Sequence, residues 1–265
     1  MSSDKRELES LLDFAVEIAR GAGEITLRHF RAGVEAETKA DKSFVTVADR
    51  EAERFMRRRI AEVYPSDGII GEEEGEREGT SGRRWILDPI DGTYSFVHGV
   101  PLYGVLVGLE IGDEPSVGVV NCAALGEMVY AARGLGCFHN DGEPARVSQT
   151  TKLEESLLLG TDFRAFERYG FGEAERELWD RVRSTRTWGD CYGYLLVATG
   201  RAELMIDPVM NVWDCAALLP VMEEAGGTFT DLQGRRTIRG GNSIATNGYL
   251  YESVMQILSA HPQAK

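Results

Sequence analysis

The chain has 265 residues and a formal net charge of −14. Its length exceeds the roughly 150 residues of a typical single domain, so two subdomains around a shared core are expected. An acidic surface argues against nucleic acid or anionic membrane as partners, and the run Arg57-Arg58-Arg59 is too short to reverse that.

The first seven residues, Met1-Ser-Ser-Asp-Lys-Arg-Glu, are polar, and no apolar run approaches the roughly 20 residues of a membrane span, so no export is expected. Cys122, Cys137, Cys191 and Cys215 form no Cys-x-x-Cys pair, which suits a reducing cytoplasm better than a disulfide framework or zinc site. Residues 8–30 repeat apolar side chains at helical spacing, with Asp4 and Glu7 set as a capping box. Gly21 and Gly23 cost that helix about 1 kcal/mol each, which predicts close packing against another element. A polar, hairpin-like segment from Lys39 to Asp49 leads into a second helix over 47–63, stopped by Pro65. Thr46 and Asp49 have capping-box spacing, so Asp49 taken alone reads as a capping acid. Ile69-Ile70-Gly71-Glu72 is a short apolar run ending in acids, with Glu72 expected inward and Glu76 and Glu78 in solvent.

The next run, Trp85-Ile86-Leu87-Asp88-Pro89-Ile90-Asp91-Gly92-Thr93, organises the rest. Apolar residues rise into one acid, a proline stops the strand, and a second acid follows three positions later. Two carboxylates at a strand end suit a hard cation. The turn beginning at Thr93 would leave free N–H groups that suit an anion, although Asp-Pro and Asp-Gly are also ordinary turn dipeptides. The haloacid-dehalogenase pattern Asp-x-Asp-Gly-Thr needs a nucleophilic aspartate where this chain has Pro89, and proline cannot attack phosphorus.

Residues 102–110, 116–120, 127–132, 137–139 and 145–147 are short strand-like runs separated by glycine turns, an antiparallel meander. From 157 onward strands (157–159, 185–188, 202–206, 228–230, 243–246) alternate with helices (173–183, 191–199, 212–225, 250–258), as in a layered α/β unit. The expected division is an α+β half, 1–150, and an α/β half, 151–265. Asn211-Val-Trp-Asp214 puts another acid in the first turn of a helix, where a capping role is the simpler reading.

Taken in order, Val45-Thr46-Val47-Ala48-Asp49, Gly71-Glu72-Glu73, Asp88-Pro-Ile-Asp91-Gly-Thr93 and Trp213-Asp214-Cys-Ala-Ala217 resemble the inositol monophosphatase family of metal-dependent phosphomonoesterases. The resemblance implies a layered αβαβα sandwich, commonly a homodimer. It implies two to three Mg²⁺ ions: Glu72, Asp88 and the Ile90 carbonyl for one, Asp88, Asp91 and Asp214 for a second, and a weaker third near Glu72. By the same resemblance Thr93 and Asp49 form a hydrogen-bonded pair that activates water, with Glu72 assisting, and the Gly92 and Thr93 amides receive phosphate.

The string Arg186-Thr-Trp188-Gly189-Asp190-Cys191-Tyr192-Gly193-Tyr194 speaks to the leaving group. Inositol phosphatases typically carry small residues after that glycine; here an acid and aromatics suit a cationic or planar nitrogenous group. The string is similar to the histidinol-phosphate phosphatase branch of the family, which implies cleavage of L-histidinol phosphate in histidine biosynthesis. Asp190 would then bind the amine, Asp207 would stand where a glutamate holds a sugar hydroxyl, and Cys191 and Trp188 would line the same subsite. Arg186 would orient these groups or lie near a dimer partner, and Tyr94 departs from the lysine many relatives carry. Trp188 and Tyr194 could equally be core, and inositol 1-phosphate, sugar phosphates and nucleotide phosphates remain alternative substrates. A catalytically silent regulator would need a lost carboxylate, and every expected acid is present.

Overall fold

The computed structural model describes residues 3–33, 36–38 and 44–263. The Asp4 capping contact and the polar segment 39–43 lie outside the described residues; a two-residue antiparallel pair, Glu37–Thr38 with Phe44–Val45, brackets that segment.

An eight-stranded sheet carries the first half of the chain. Its strands, in spatial order, are Glu143–Pro144, Gly136–His139, Glu127–Ala132, Glu114–Cys122, Gly104–Ile111, Arg83–Asp91, Gly68–Gly71 and Gly75–Arg77. Neighbours are antiparallel except Gly68–Gly71, which runs parallel to Arg83–Asp91. Because strand side chains alternate between faces, both faces of a doubly buried sheet must be apolar. Trp85, Leu87, Val105 and Val107 join one core with the helices Ser3–His29 and Val47–Val63. Ile86 and Leu106 join another with Asp190–Ala198, Val212–Ala216 and Leu218–Glu224.

A five-stranded sheet covers the far side of those three helices, ordered Ser184–Arg186, Leu157–Leu159, Leu204–Asp207, Ser243–Thr246 and Thr228–Thr230. Met205 faces inward, while Leu204 and Ile206 pack on the outer helices Gly172–Arg181 and Tyr251–Ala260. The layers therefore run helix, sheet, helix, sheet, helix. Among the described residues no helix is long and apolar enough to cross a membrane.

Gly21 and Gly23 are where packing demands them: a Cβ on Gly21 would lie 2.4 Å from the Phe55 ring, and one on Gly23 2.5 Å from the Asn121 amide. Other expectations shift. The helix expected over 212–225 splits after Ala216, because Pro220 has no N–H for the Ala216 carbonyl and Gly118 packs directly on Ala217, where a Cβ would lie 2.0 Å from the carbonyl oxygen. The strand expected over 145–147 sits earlier, at Glu143–Pro144, and Val147 bonds instead to the Ala225 carbonyl at 3.1 Å. A helix at Phe163–Arg168, capped by Asp162 accepting from Arg164 N at 2.9 Å, is additional.

Candidate active site

The strand Arg83–Asp91 ends in a bulge: Asp88 pairs with Leu106 and Asp91 with Gly104, so three steps on one strand oppose two on the other. Pro89, with no N–H to give the ladder, sits inside it. Asp88 accepts from Ile90 N at 3.0 Å, and Asp91 accepts from the backbone N–H of Cys191. Gly92 follows with φ of 86°, and a Cβ there would lie 2.9 Å from the Leu102 carbonyl oxygen and 3.0 Å from Asp190 Oδ2. Conformation and space both require glycine. The helix Thr93–Val97 begins immediately after, with no side chain capping it, so its first amides lack intrahelical partners.

Asp214 arrives from the helix Val212–Ala216, accepting from Asn211 N at 2.6 Å. Ligand oxygens of Asp88, Asp91 and Asp214 all lie within 4.8 Å of one another. Glu72, at the end of Gly68–Gly71, bonds through its N–H to the Leu87 carbonyl at 3.2 Å. Burial pushes the Asp88 carboxyl well up, with Glu72, Asp91 and Asp214 adding repulsion. Burial likewise raises Asp91 well above the usual range, with Asp190 and Asp214 beside it, and carries Asp214 from 3.8 to about 7.

Asp49 is fully buried at the start of Val47–Val63, and burial lifts it to about 6 against the opposing hydrogen bonds from Thr46. Its Oδ2 accepts from Thr46 N at 2.7 Å and Thr46 Oγ1 at 2.6 Å, while Oδ1 is buried without a partner. The expected Thr93–Asp49 hydrogen bond is therefore not formed. Thr93 Oγ1 donates instead to the Ile90 carbonyl at 2.9 Å, the nearest acceptor three residues back in its own turn.

A cleft of about 190 Å³ runs from Asp91 and Asp214 to Asp190, Asp207, Thr161 and Met210. Asp190, at a φ of 50°, donates its N–H to Thr161 Oγ1 at 2.8 Å and is lifted to about 7 by burial and by Asp207 and Asp214. Asp207 is buried and raised to about 6 by that burial, accepting from Thr161 N at 3.2 Å and Tyr194 OH at 3.0 Å. Tyr194 is thus core. Three expected substrate contacts are not brought into this cleft. The Cys191 thiol is buried beside Gly104 and Cys122, and only its N–H reaches the site, through Asp91. Arg186 is exposed and donates to Ser184 Oγ at 2.7 Å and Thr185 O at 2.6 Å, so its own strand satisfies it. Trp188 is exposed, with Arg186 Cζ 6.0 Å from its ring.

Residues 7–263 match the family model described as the inositol monophosphatase family. The chain belongs to that family. It is 44% identical to the histidinol-phosphatase of Chlorobaculum parvum, over 89% of this chain and 91% of that protein. It is 41% identical to the histidinol-phosphatase of Mycobacterium tuberculosis, over 94% and 98%. Among solved structures, the Thermotoga maritima IMPase superposes with a TM-score of 0.85 at 32% identity, covering 95% of this chain and 97% of that one. The inositol monophosphatase family is metal-dependent, and this member is a phosphoric monoester hydrolase.

The donor set fits such a metal. Converging buried carboxylates repel one another, an all-oxygen set suits a hard divalent ion, and Asp49 Oδ1 is orphaned beside them. Asp190 and Asp214 hold their protons more tightly folded than unfolded. Their contribution to stability is fully present below the ordinary value of 3.8 and lost as pH rises through about 7. In EDTA the thermal midpoint is therefore expected to fall from about pH 5 to about pH 8, and MgCl₂ to raise it by more at the higher pH. Equal Mg²⁺ shifts at both pH values would contradict the convergence of charge.

Thr161, Asp162, Arg168 and Tyr169 also line the cleft and were not expected from sequence. Asp162-Phe-Arg carried the available signal, a capping acid ahead of a short helix.

Proposed function

We propose that the protein is a Mg²⁺-dependent histidinol-phosphate phosphatase, converting L-histidinol phosphate and water to L-histidinol and inorganic phosphate in histidine biosynthesis. The observation that carries this reading is Asp190, a carboxylate beside Gly92 whose side chain is committed to no hydrogen bond among the described residues, in a cleft that also holds Asp91, Asp162, Asp207 and Asp214 against the single cation Arg168. An ammonium on the leaving group complements it. The names of the two bacterial relatives point the same way.

In this reading Asp88, Asp91 and Asp214, whose oxygens converge, would hold one ion, Glu72 and the Ile90 carbonyl would join Asp88 in holding another, and a third would bind weakly near Glu72. Bound Mg²⁺ supplies neutralisation of phosphoryl charge and acidification of water. The Gly92 and Thr93 amides receive the phosphate at the uncapped helix start. Asp49 Oδ1 accepts the proton of the attacking water, Thr93 Oγ1 orients that water, and Glu72 assists. Asp207 braces the far wall through Thr161 and Tyr194. Residues 1–150 thus supply most of the phosphate chemistry and 151–265 most of the leaving-group recognition. The enzyme works as a cytoplasmic homodimer.

Phosphate release from L-histidinol phosphate and from inositol 1-phosphate, with EDTA controls, tests the substrate. A preference of about a hundredfold in kcat/KM for histidinol phosphate is expected, roughly 2.7 kcal/mol of transition-state discrimination. A preference for inositol 1-phosphate would refute the substrate while leaving the metal chemistry.

A further inference from the structure

Beside Asp190 the cleft opens into a compartment of about 500 Å³, walled by Tyr94, Leu102, Asp162, Thr187, Gly189 and Asp190. Tyr94 leaves 69% of its surface open to water, the most of any large apolar or aromatic side chain among the described residues. It is nonetheless held. The His98 ring stacks on it at 4.5 Å and 21°, and Phe44 leans on it at 5.5 Å and 33°. His98 Nδ1 also lies 2.8 Å from the Tyr94 carbonyl oxygen, fixing the stacking partner to the same turn. A ring ordered before a ligand arrives loses little rotamer freedom on binding. Its place is set by backbone as well, since Tyr94 is the second residue of the helix Thr93–Val97 that starts at Gly92.

The compartment therefore offers a preorganised aromatic surface on one wall and an uncommitted carboxylate on another. That pairing complements a planar nitrogenous ring whose side chain bears an amine. We propose that Tyr94 is a specificity-determining residue: it forms the wall against which the ring of the leaving group rests while the amine reaches Asp190. The inference rests on the histidinol-phosphate reading and deepens it. Contact of this kind is the same before and during cleavage, so it acts on binding and shows in KM rather than kcat.

The test compares Tyr94→Ala and Tyr94→Phe on L-histidinol phosphate and on O-phosphoethanolamine, which has an amine and no ring. Tyr94→Ala is expected to raise KM for histidinol phosphate about tenfold with kcat within about twofold, and to move KM for phosphoethanolamine by less than about twofold. Tyr94→Phe, which keeps the ring, is expected to match the wild type on both. Equal KM rises on the two substrates, or a Phe variant as impaired as the Ala variant, overturns the aromatic wall. A wild-type enzyme without preference for histidinol phosphate refutes the substrate reading instead. In that event p-nitrophenyl phosphate against glycerol phosphate decides Tyr94 by the same comparison of ring with no ring.

Discussion

Asp91→Asn is expected to lower kcat by on the order of 10³ or more at saturating Mg²⁺ while leaving the fold intact. Asp91 is one of three carboxylates whose oxygens converge within 4.8 Å, and the amide keeps the shape and removes the charge. The asparagine oxygen still accepts from the Cys191 N–H, so the brace between the sheet and the helix Asp190–Ala198 survives. Relief of repulsion with Asp190 and Asp214 works in favour of the folded state. The variant should therefore melt at or above the wild-type temperature in EDTA and gain less from MgCl₂. Near-normal turnover would remove Asp91 from the metal set, and a large drop in the EDTA midpoint would make its role structural.

Asp190→Asn comes second, with an expected loss of about 10- to 100-fold in kcat/KM on L-histidinol phosphate and less than about threefold on p-nitrophenyl phosphate. The range follows from roughly 1.5–3 kcal/mol for a hydrogen bond to a charged group. Asparagine is the informative substitution because Asp190 holds a φ of 50°, a left-handed conformation that asparagine tolerates and alanine resists. Asp190→Ala should add strain next to Gly92 and so depress both substrates, with the histidinol phosphate loss still the larger. Equal losses in the Asn variant would exclude amine recognition at this position.

Local pattern made the carboxylates of Asp88 and Asp91 legible as a strand-end pair, whereas Asp49 and Asp214 read locally as capping acids and entered the candidate site only through the family resemblance. Asp88 and Asp91 close one strand, Glu72 follows another, and Asp49 and Asp214 each occupy the third position of a capped helix. The helix Val47–Val63 matched its expected limits because Thr46 caps its start. What sequence hid was set by partners distant along the chain. Gly118, approaching from another layer, helps to break the helix at Ala217, and nothing near 217 announces it except Pro220. The six residues of Phe163–Arg168 are too few to display a helical period. The string 186–194 misled because contiguous residues at a strand-to-helix junction face different ways. Arg186 and Trp188 turn to solvent, Asp190 faces Gly92, and the Cys191 thiol enters the core.

Asp91 and the amide that braces it are 100 positions apart, and Asp214, the third of the converging carboxylates, comes later still. Closing a span of that length follows the formation of local helices and hairpins. No early folding species then holds the full set of oxygens, and a divalent ion has nothing to nucleate. Stabilisation by such an ion would enter after the layers have joined, and is expected to slow unfolding and leave the folding rate unchanged. An ion that binds only the assembled set would then lengthen residence in the folded state and leave the pace of assembly to the topology.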